Sequence, residues 1–284
     1  MNVDLTVRRV MQLVVRWTGI CFSVLGAIGF LIFGLLYFKY HSESETIKQI
    51  AKYVTDGLDD APGERLIRLT HWVYSNKGFA KNREYFLFSK LGPTPIQVLE
   101  KGGDCADKSR LLASMLYQLD IPNTLVMLYD EENGKPTHTV VEVRLPDFRA
   151  VADPVYDIVY TTSHGQFLGL DELRRNNQLF LDRLQVLVEE RGEKSKVAFY
   201  KKGTESYQWP RTINWESKWI TSQIGRLLAV FVDEPQLISR PRFLEEPVLL
   251  MSLISLSISI VMVMTGAGLY WSSIKIFRHK NTGT

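Results

Sequence analysis

Cysteine is scarce in this chain. Of 284 residues only Cys21 and Cys105 are cysteines, and Cys21 sits inside an apolar run. No disulfide can close within the segment that follows, so a small scaffold stapled by bridges is excluded and Cys105 is a lone thiol. A basic surface is missing too. The net charge of +3 comes from 34 basic and 31 acidic residues, and its surplus sits at the ends: Arg8, Arg9 and Arg16 against Asp4 at one, Lys275, Arg278 and Lys280 at the other. Between Lys39 and Glu246 remain 28 basic and 30 acidic residues. That balance excludes a nucleic-acid stripe, so no nucleic-acid partner is expected. No histidine shows metal-ligand spacing, neither a metal nor a cofactor is expected, and no repeat or low-complexity tract is present.

Charge is absent altogether from Trp17–Phe38, 22 residues, and from Pro247–Ile274, 28 residues. Both exceed the roughly 20 apolar residues that cross a bilayer core. The first run is longer than a signal-peptide core and ends Gly34-Leu35-Leu36-Tyr37-Phe38 without an Ala-x-Ala pattern, so it reads as an uncleaved anchor. Trp17, Tyr37 and Tyr40 stand where aromatic belts sit. Basic residues gather on the cytoplasmic side of membrane segments. The expected arrangement is a two-pass protein of the cell's inner membrane, with tails 1–16 and 275–284 cytoplasmic and residues 39–246 periplasmic or extracellular. No charged residue lies within either run, which argues against an ion or proton pathway. Ser252, Ser255, Ser259 and Gly266 share one helical face, as do Gly19, Ser23 and Gly26, so the spans are suited to pack on each other or on a membrane protein partner.

The segment between the spans is long enough for one ordinary core. Apolar residues at spacings of three and four predict helices over Ser44–Leu58 and Gly63–Tyr74, a short helix over Pro95–Lys101, and a longer one from near Asp104 through Leu119. After Pro122 the pattern becomes strand-like: Thr124–Tyr129, His138–Val143 and Phe148–Asp153, with a turn at Glu132-Asn133-Gly134-Lys135. Leu170–Glu190 and Trp215–Val232 read as helices, and Trp209, Trp215 and Trp219 point to a stretch lying along the membrane surface.

Gly102-Gly103-Asp104-Cys105-Ala106-Asp107-Lys108 places Cys105 just inside a helix start. Asp104 is the expected N-cap and Asp107 completes a capping box. A thiol in that first turn feels the positive end of the helix dipole, which favours thiolate; a free cysteine is also commonly a buried structural residue. The strands add the partners. A four-residue loop, Arg144 to Asp147, would set Val143 opposite Phe148, Glu142 opposite Arg149, Val140 opposite Val151 and His138 opposite Asp153. Opposed Cβ atoms lie about 4.5–5.5 Å apart, close enough for a carboxylate to fix an imidazole tautomer. Asp157 is the alternative carboxylate. His71 reads as a helix-face residue, His164 as a loop residue, and His41 and His279 flank the spans.

Pro93–Cys105, then Leu111–Leu116, then Ile121-Pro122, with Thr137-His138-Thr139 and Ala152-Asp153-Pro154 following in order, resembles the transglutaminase-like core. The likeness covers roughly residues 45 to 175. It implies an α+β papain/transglutaminase-like fold, in which a helix bearing the cysteine packs on an antiparallel sheet bearing His and Asp, set between two transmembrane helices. The implied domain spans 39–175, with 176–246 a helical extension near the membrane. The resemblance further implies Cys105 as nucleophile, His138 as general base and acid, and Asp153 as orienting group. Such a triad transfers acyl groups through a thioester, with water or an amine as acceptor, and the Cys105 N–H is a natural oxyanion donor. The expected activity is a cysteine hydrolase or acyltransferase acting on peptides or amides of the cell envelope. Because the family also holds members that have lost activity, a silent binding or scaffold module of an envelope complex is the alternative.

Overall fold

The computed structural model describes residues 2–58, 61–81, 83–130, 136–145, 147–204 and 207–278. The expected turn at Glu132–Lys135, His279 and Lys280 lie outside the described residues, as do the side chains of Asp4, Arg8, Arg9, Trp209, Lys275 and Arg278. The chain forms two compact units, one of residues up to Ser42 together with those from Val248 onward, the other Glu43–Pro247.

The first unit is built on two helices, α1 (Asn2–Val54) and α9 (Pro247–Arg278), both long and apolar enough to cross a membrane. They pair with each other through the small residues marked in the sequence. A Cβ on Gly19 would come within 2.8 Å of the Gly266 carbonyl, and one on Gly26 within 3.0 Å of the Ser259 carbonyl. Ser255 Oγ donates to the Gly29 carbonyl at 2.9 Å, and Gln12 donates to the Ser273 carbonyl at 3.0 Å. Small side chains at such a seam let backbones approach and exchange polar contacts where water is absent. The expected separate helices 17–38 and 44–58 are one continuous helix, because no glycine or proline interrupts Lys39–Asp56.

The second unit is α+β. Its antiparallel sheet has the order β4-β3-β2-β1-β5, from β1 (Asn123–Asp130), β2 (Pro136–Leu145), β3 (Phe148–Asp153), β4 (Ile158–Val159) and β5 (Tyr207–Arg211). One face, with Val141, Val143, Ala150 and Ala152, packs on the end of α1 (Ile47, Ala51, Val54), α2 (Pro62–Ser75), α3 (Pro95–Lys101) and α4 (Cys105–Gln118). The other, with Val126, Val140 and Val151, packs on α5 (Leu170–Arg175), α6 (Asn177–Arg191) and α7 (Lys196–Thr204). Alternate strand residues therefore serve two cores, which is why these strands carry valine on both faces.

Three expectations are corrected. Leu170–Glu190 is two helices, broken at Asn176, whose side chain caps α6 by accepting from the Gln178 N–H at 3.1 Å. Residues 176–246 are not all helical, since β5 pairs with β1. The β2–β3 register is displaced by two residues: Leu145 faces Phe148, Arg144 faces Arg149, Val143 faces Ala150 and Glu142 faces Val151. Leu145 and Phe148 pair directly and both pack on the first core. Glu142 is buried and bonds Arg144 at 2.5 Å instead of Arg149, which pairs with Asp171 at 3.2 Å.

Candidate active site

The Cys105 turn follows from its sequence residue by residue. Asp104 caps α4 by accepting from the N–H groups of Ala106 and Asp107 at 3.0 and 3.2 Å, and Asp107 accepts from the Asp104 N–H at 3.2 Å. The expected capping box is present. Gly102 has φ +79°, and a Cβ there would meet the Gly78 carbonyl at 2.6 Å, while one on Gly103 would meet Asp107 Cβ at 2.3 Å. Paired glycines are what allow the chain to enter the helix this tightly. Neither capped amide is that of Cys105, whose side chain is part-exposed. Burial, with the neighbouring Asp104 charge behind it, pushes the Asp107 carboxyl above its ordinary range.

Two further polar side chains fix α4 in place. The buried Lys108 donates to the carbonyls of Val73, Tyr74, Asn76 and Lys77 at 2.8–3.3 Å, satisfying the C-terminal end of α2. Burial, then the charge of Lys196, lowers its ammonium to about 8. Ser109 Oγ donates to the Thr139 carbonyl at 2.8 Å, tying α4 to the strand residue next to His138.

His138 stands beside an irregularity in the sheet. It faces Leu128, but the next pair is Tyr129 with Pro136, so Thr137 is an extra residue whose hydroxyl donates to the Leu128 carbonyl at 3.2 Å. Such bulges re-aim the side chain next to them. The His138 ring is 6% exposed and Asp153 is fully buried, with Nε2 2.6 Å from Asp153 Oδ2. The other Asp153 oxygen accepts from the Val155 N–H at 2.9 Å. Cys105 lies near enough to the ring to add to the stabilisation of its charge. Burial opposes the charged ring, but the Asp153 charge and hydrogen bond, with a contribution from Cys105, outweigh it and hold the imidazole up at about 10.

The structure thus brings Cys105, His138 and Asp153 together in that order. Asp157 is elsewhere: its Oδ2 lies 2.9 Å from His71 Nδ1, an exposed contact. His164 lies in a turn closed by Thr162, and His41 lies on α1. The arrangement places a thiol, an imidazole and a carboxylate in one neighbourhood.

No family model matches the chain, and no curated protein does. Similarity is found among solved structures. One is a candidate cysteine protease from Cytophaga hutchinsonii, 17% identical, covering 40% of this chain and 38% of that chain with a TM-score of 0.34. A candidate protease from Parabacteroides distasonis is 14% identical, covering 44% and 26%, with a TM-score of 0.33. LapG from Legionella pneumophila is 13% identical, covering 41% and 75%, with a TM-score of 0.29. The chain therefore spans less than half the length of the first two.

Sequence reasoning missed the aromatic wall of the site. Tyr156 and Tyr200 stack at 3.9 Å with planes 12° apart, and both lean on the His138 ring at 5.7 and 5.2 Å. Tyr200 is on α7, 62 residues beyond His138, and no local pattern announces it. A separate cavity of about 280 Å³ borders the far end of α4. Its four arginines each meet a carboxylate: Arg110 with Asp107, Arg144 with Glu142, Arg240 with Glu245, and Arg242 with Glu246. Residues 240–246 are held to α4 by Ser114, which donates to Glu246 at 2.9 Å, and by Arg242, whose guanidinium lies 3.2 Å from the centre of the Tyr117 ring.

Proposed function

We propose that this protein is a membrane-anchored cysteine acyl-transfer enzyme, a peptidase or amidase in the first instance, with Cys105 as nucleophile, His138 as acid and base, and Asp153 as orienting carboxylate. The observation that carries the reading is the buried His138 ring, held at 2.6 Å from a fully buried carboxylate, with the part-exposed Cys105 thiol at a helix start adding to the stabilisation of its charge. A histidine kept only for packing has no need of both partners.

In the proposed reaction the Cys105 proton resides on His138. Sulfur attacks the carbonyl carbon of an amide, a C–S bond forms, and the carbonyl oxygen takes negative charge near the Cys105 N–H. The C–N bond then breaks, the His138 proton goes to the departing amine, and a thioester remains. Water, deprotonated by His138, releases the acid and restores the thiol; a primary amine in its place gives transamidation. The basic tails support the orientation in which both termini are cytoplasmic and the Glu43–Pro247 unit faces outward, where envelope peptides are the available amides.

The test is a comparison of the full-length chain with its Cys105→Ser variant on a set of envelope-type peptides and amides, with products read by mass spectrometry. Products made by the native chain and absent with the variant are expected. Identical product profiles would leave the unit as a binding module.

A further inference from the structure

Helix α8 (Trp219–Leu228) is amphipathic with its polarity turned outward. The side facing the protein is small: Gly225 is its buried residue, and a Cβ there would come within 2.7 Å of Trp215 Cβ. The Trp215 indole is fixed in turn by donating to the Pro235 carbonyl at 2.9 Å. The opposite side is apolar and open. Trp219 is 77% exposed, Ile220 63%, Ile224 44% and Leu227 63%, and past the helix end Val230 and Phe231 are 74% and 78% exposed. Continued at 100° per residue, these six fall within an arc of about 140°. A folded unit in water does not gather six large apolar groups on one face without something to cover them.

We infer that this face lies in the headgroup and upper acyl region of the bilayer that holds the two apolar spans. Chain connectivity supports a lipid surface as the occupant. At one end of the unit Glu246 is buried, accepts from Ser114 Oγ at 2.9 Å, and directly precedes Pro247, where the second apolar run begins. At the other, the core residue Ile47 follows the last residue of the first run, Phe38, by nine positions of helix, about 14 Å at 1.5 Å per residue. The chain connections between this unit and the two apolar runs are therefore short at both ends. Charge agrees with this occupant. Arg226 borders the apolar arc and Lys218 precedes it, and no acidic residue occurs from Ser217 through Val232, the composition that an anionic headgroup layer attracts. The inference is independent of the thiol chemistry.

The experiment uses full-length protein in vesicles of phosphatidylcholine and phosphatidylglycerol, with Cys21→Ser and Cys105→Ser clearing the native thiols. A nitrobenzoxadiazole label is placed on Leu227→Cys, on Phe231→Cys, and on Lys90→Cys as an exposed reference, since none of the three packs in a core. Blue-shifted emission at 227 and 231, with most of the intensity lost when lipids carry a nitroxide on the upper acyl chain and little change at 90, is the expected result. Water-like emission at 227 and 231 would overturn the inference. Blue-shifted emission that lipid nitroxides do not quench would overturn it too, and would make a protein, a second copy included, the occupant.

Discussion

His138 and Asp153 meet diagonally across β2 and β3 rather than face to face, their 2.6 Å contact spanning a register in which Val141 pairs with Ala152. The offset matters because Asp153 ends its strand, and its second oxygen is then free to accept from the Val155 N–H in the following turn. With one oxygen held by backbone, the other has a fixed line to Nε2. Asp153→Asn keeps the shape and removes the charge. In a Cys21→Ser background, where Cys105 is the sole thiol, iodoacetamide alkylation at pH 6 is expected to slow at least about tenfold for both Asp153→Asn and His138→Ala, as a thiol without a charged partner reacts. An unchanged rate in both would show that the three groups do not act together.

The same pair sets a pH dependence of stability. The folded-state value of His138 is raised from 6.5 to about 10, so its stabilisation is fully present below 6.5 and is lost as pH rises through about 10. Lys108 has the opposite sign: its value is lowered from 10.5 to about 8, so stability is regained as pH rises from 8 to 10.5. Between pH 6.5 and 8 only the first operates, and the unfolding free energy is expected to fall by up to about 1.4 kcal/mol per pH unit, then to level off. Denaturant titrations across this range check it. His138→Gln flattens the lower window, and a native chain already flat there would contradict the assignment.

The parts of this site that the sequence discloses are those governed by local rules. Asp104, Asp107 and the glycine pair announce the Cys105 turn because capping acts over three residues, and His138 precedes Asp153 at a spacing that any short hairpin brings into reach. The register differs by two residues from the one the sequence favours, because the pairing of Glu142 with Arg149 is attractive in isolation. Burial of Leu145 and Phe148 outweighs it, and a slip of two preserves every face, so the pattern of alternation carries no warning. Tyr200 and β5 are illegible for another reason. Their partners lie 62 residues or more away, and only the finished second core brings them to His138 and β1.

Asp104 offers a test of how far the helix start governs the thiol. Its carboxylate satisfies two amides of α4, so Asp104→Ala is expected to cost about 1 kcal/mol in urea unfolding. Asp104→Asn keeps an acceptor oxygen and is expected to recover most of that loss. The Cys105 alkylation rate should track the cap, falling in Asp104→Ala and holding in Asp104→Asn. A stability loss with no change in rate would separate the cap from the placement of the thiol.

Tyr200 tests whether the stretch after residue 175 belongs to the working unit. Its ring is 4% exposed, stacks on Tyr156, meets Phe180 edge-on at 6.1 Å and covers one side of the His138 imidazole. Removing it leaves a cavity that this rigid second core cannot close, so Tyr200→Ala is expected to cost about 3–5 kcal/mol. Water admitted to His138 would also weaken its hold on the Asp153 charge, since that attraction depends on exclusion of solvent. Tyr200→Ala should therefore slow Cys105 alkylation and flatten the dependence of stability on pH between 6.5 and 8. Tyr200→Phe, which keeps the ring, should remain within about 1 kcal/mol of the native chain and preserve both behaviours. If Tyr200→Ala loses stability while the thiol keeps its full reactivity, α7 supports the fold alone. If rate and pH profile move with the ring, the wall built by residues after 175 is part of what makes His138 a charged partner for Cys105.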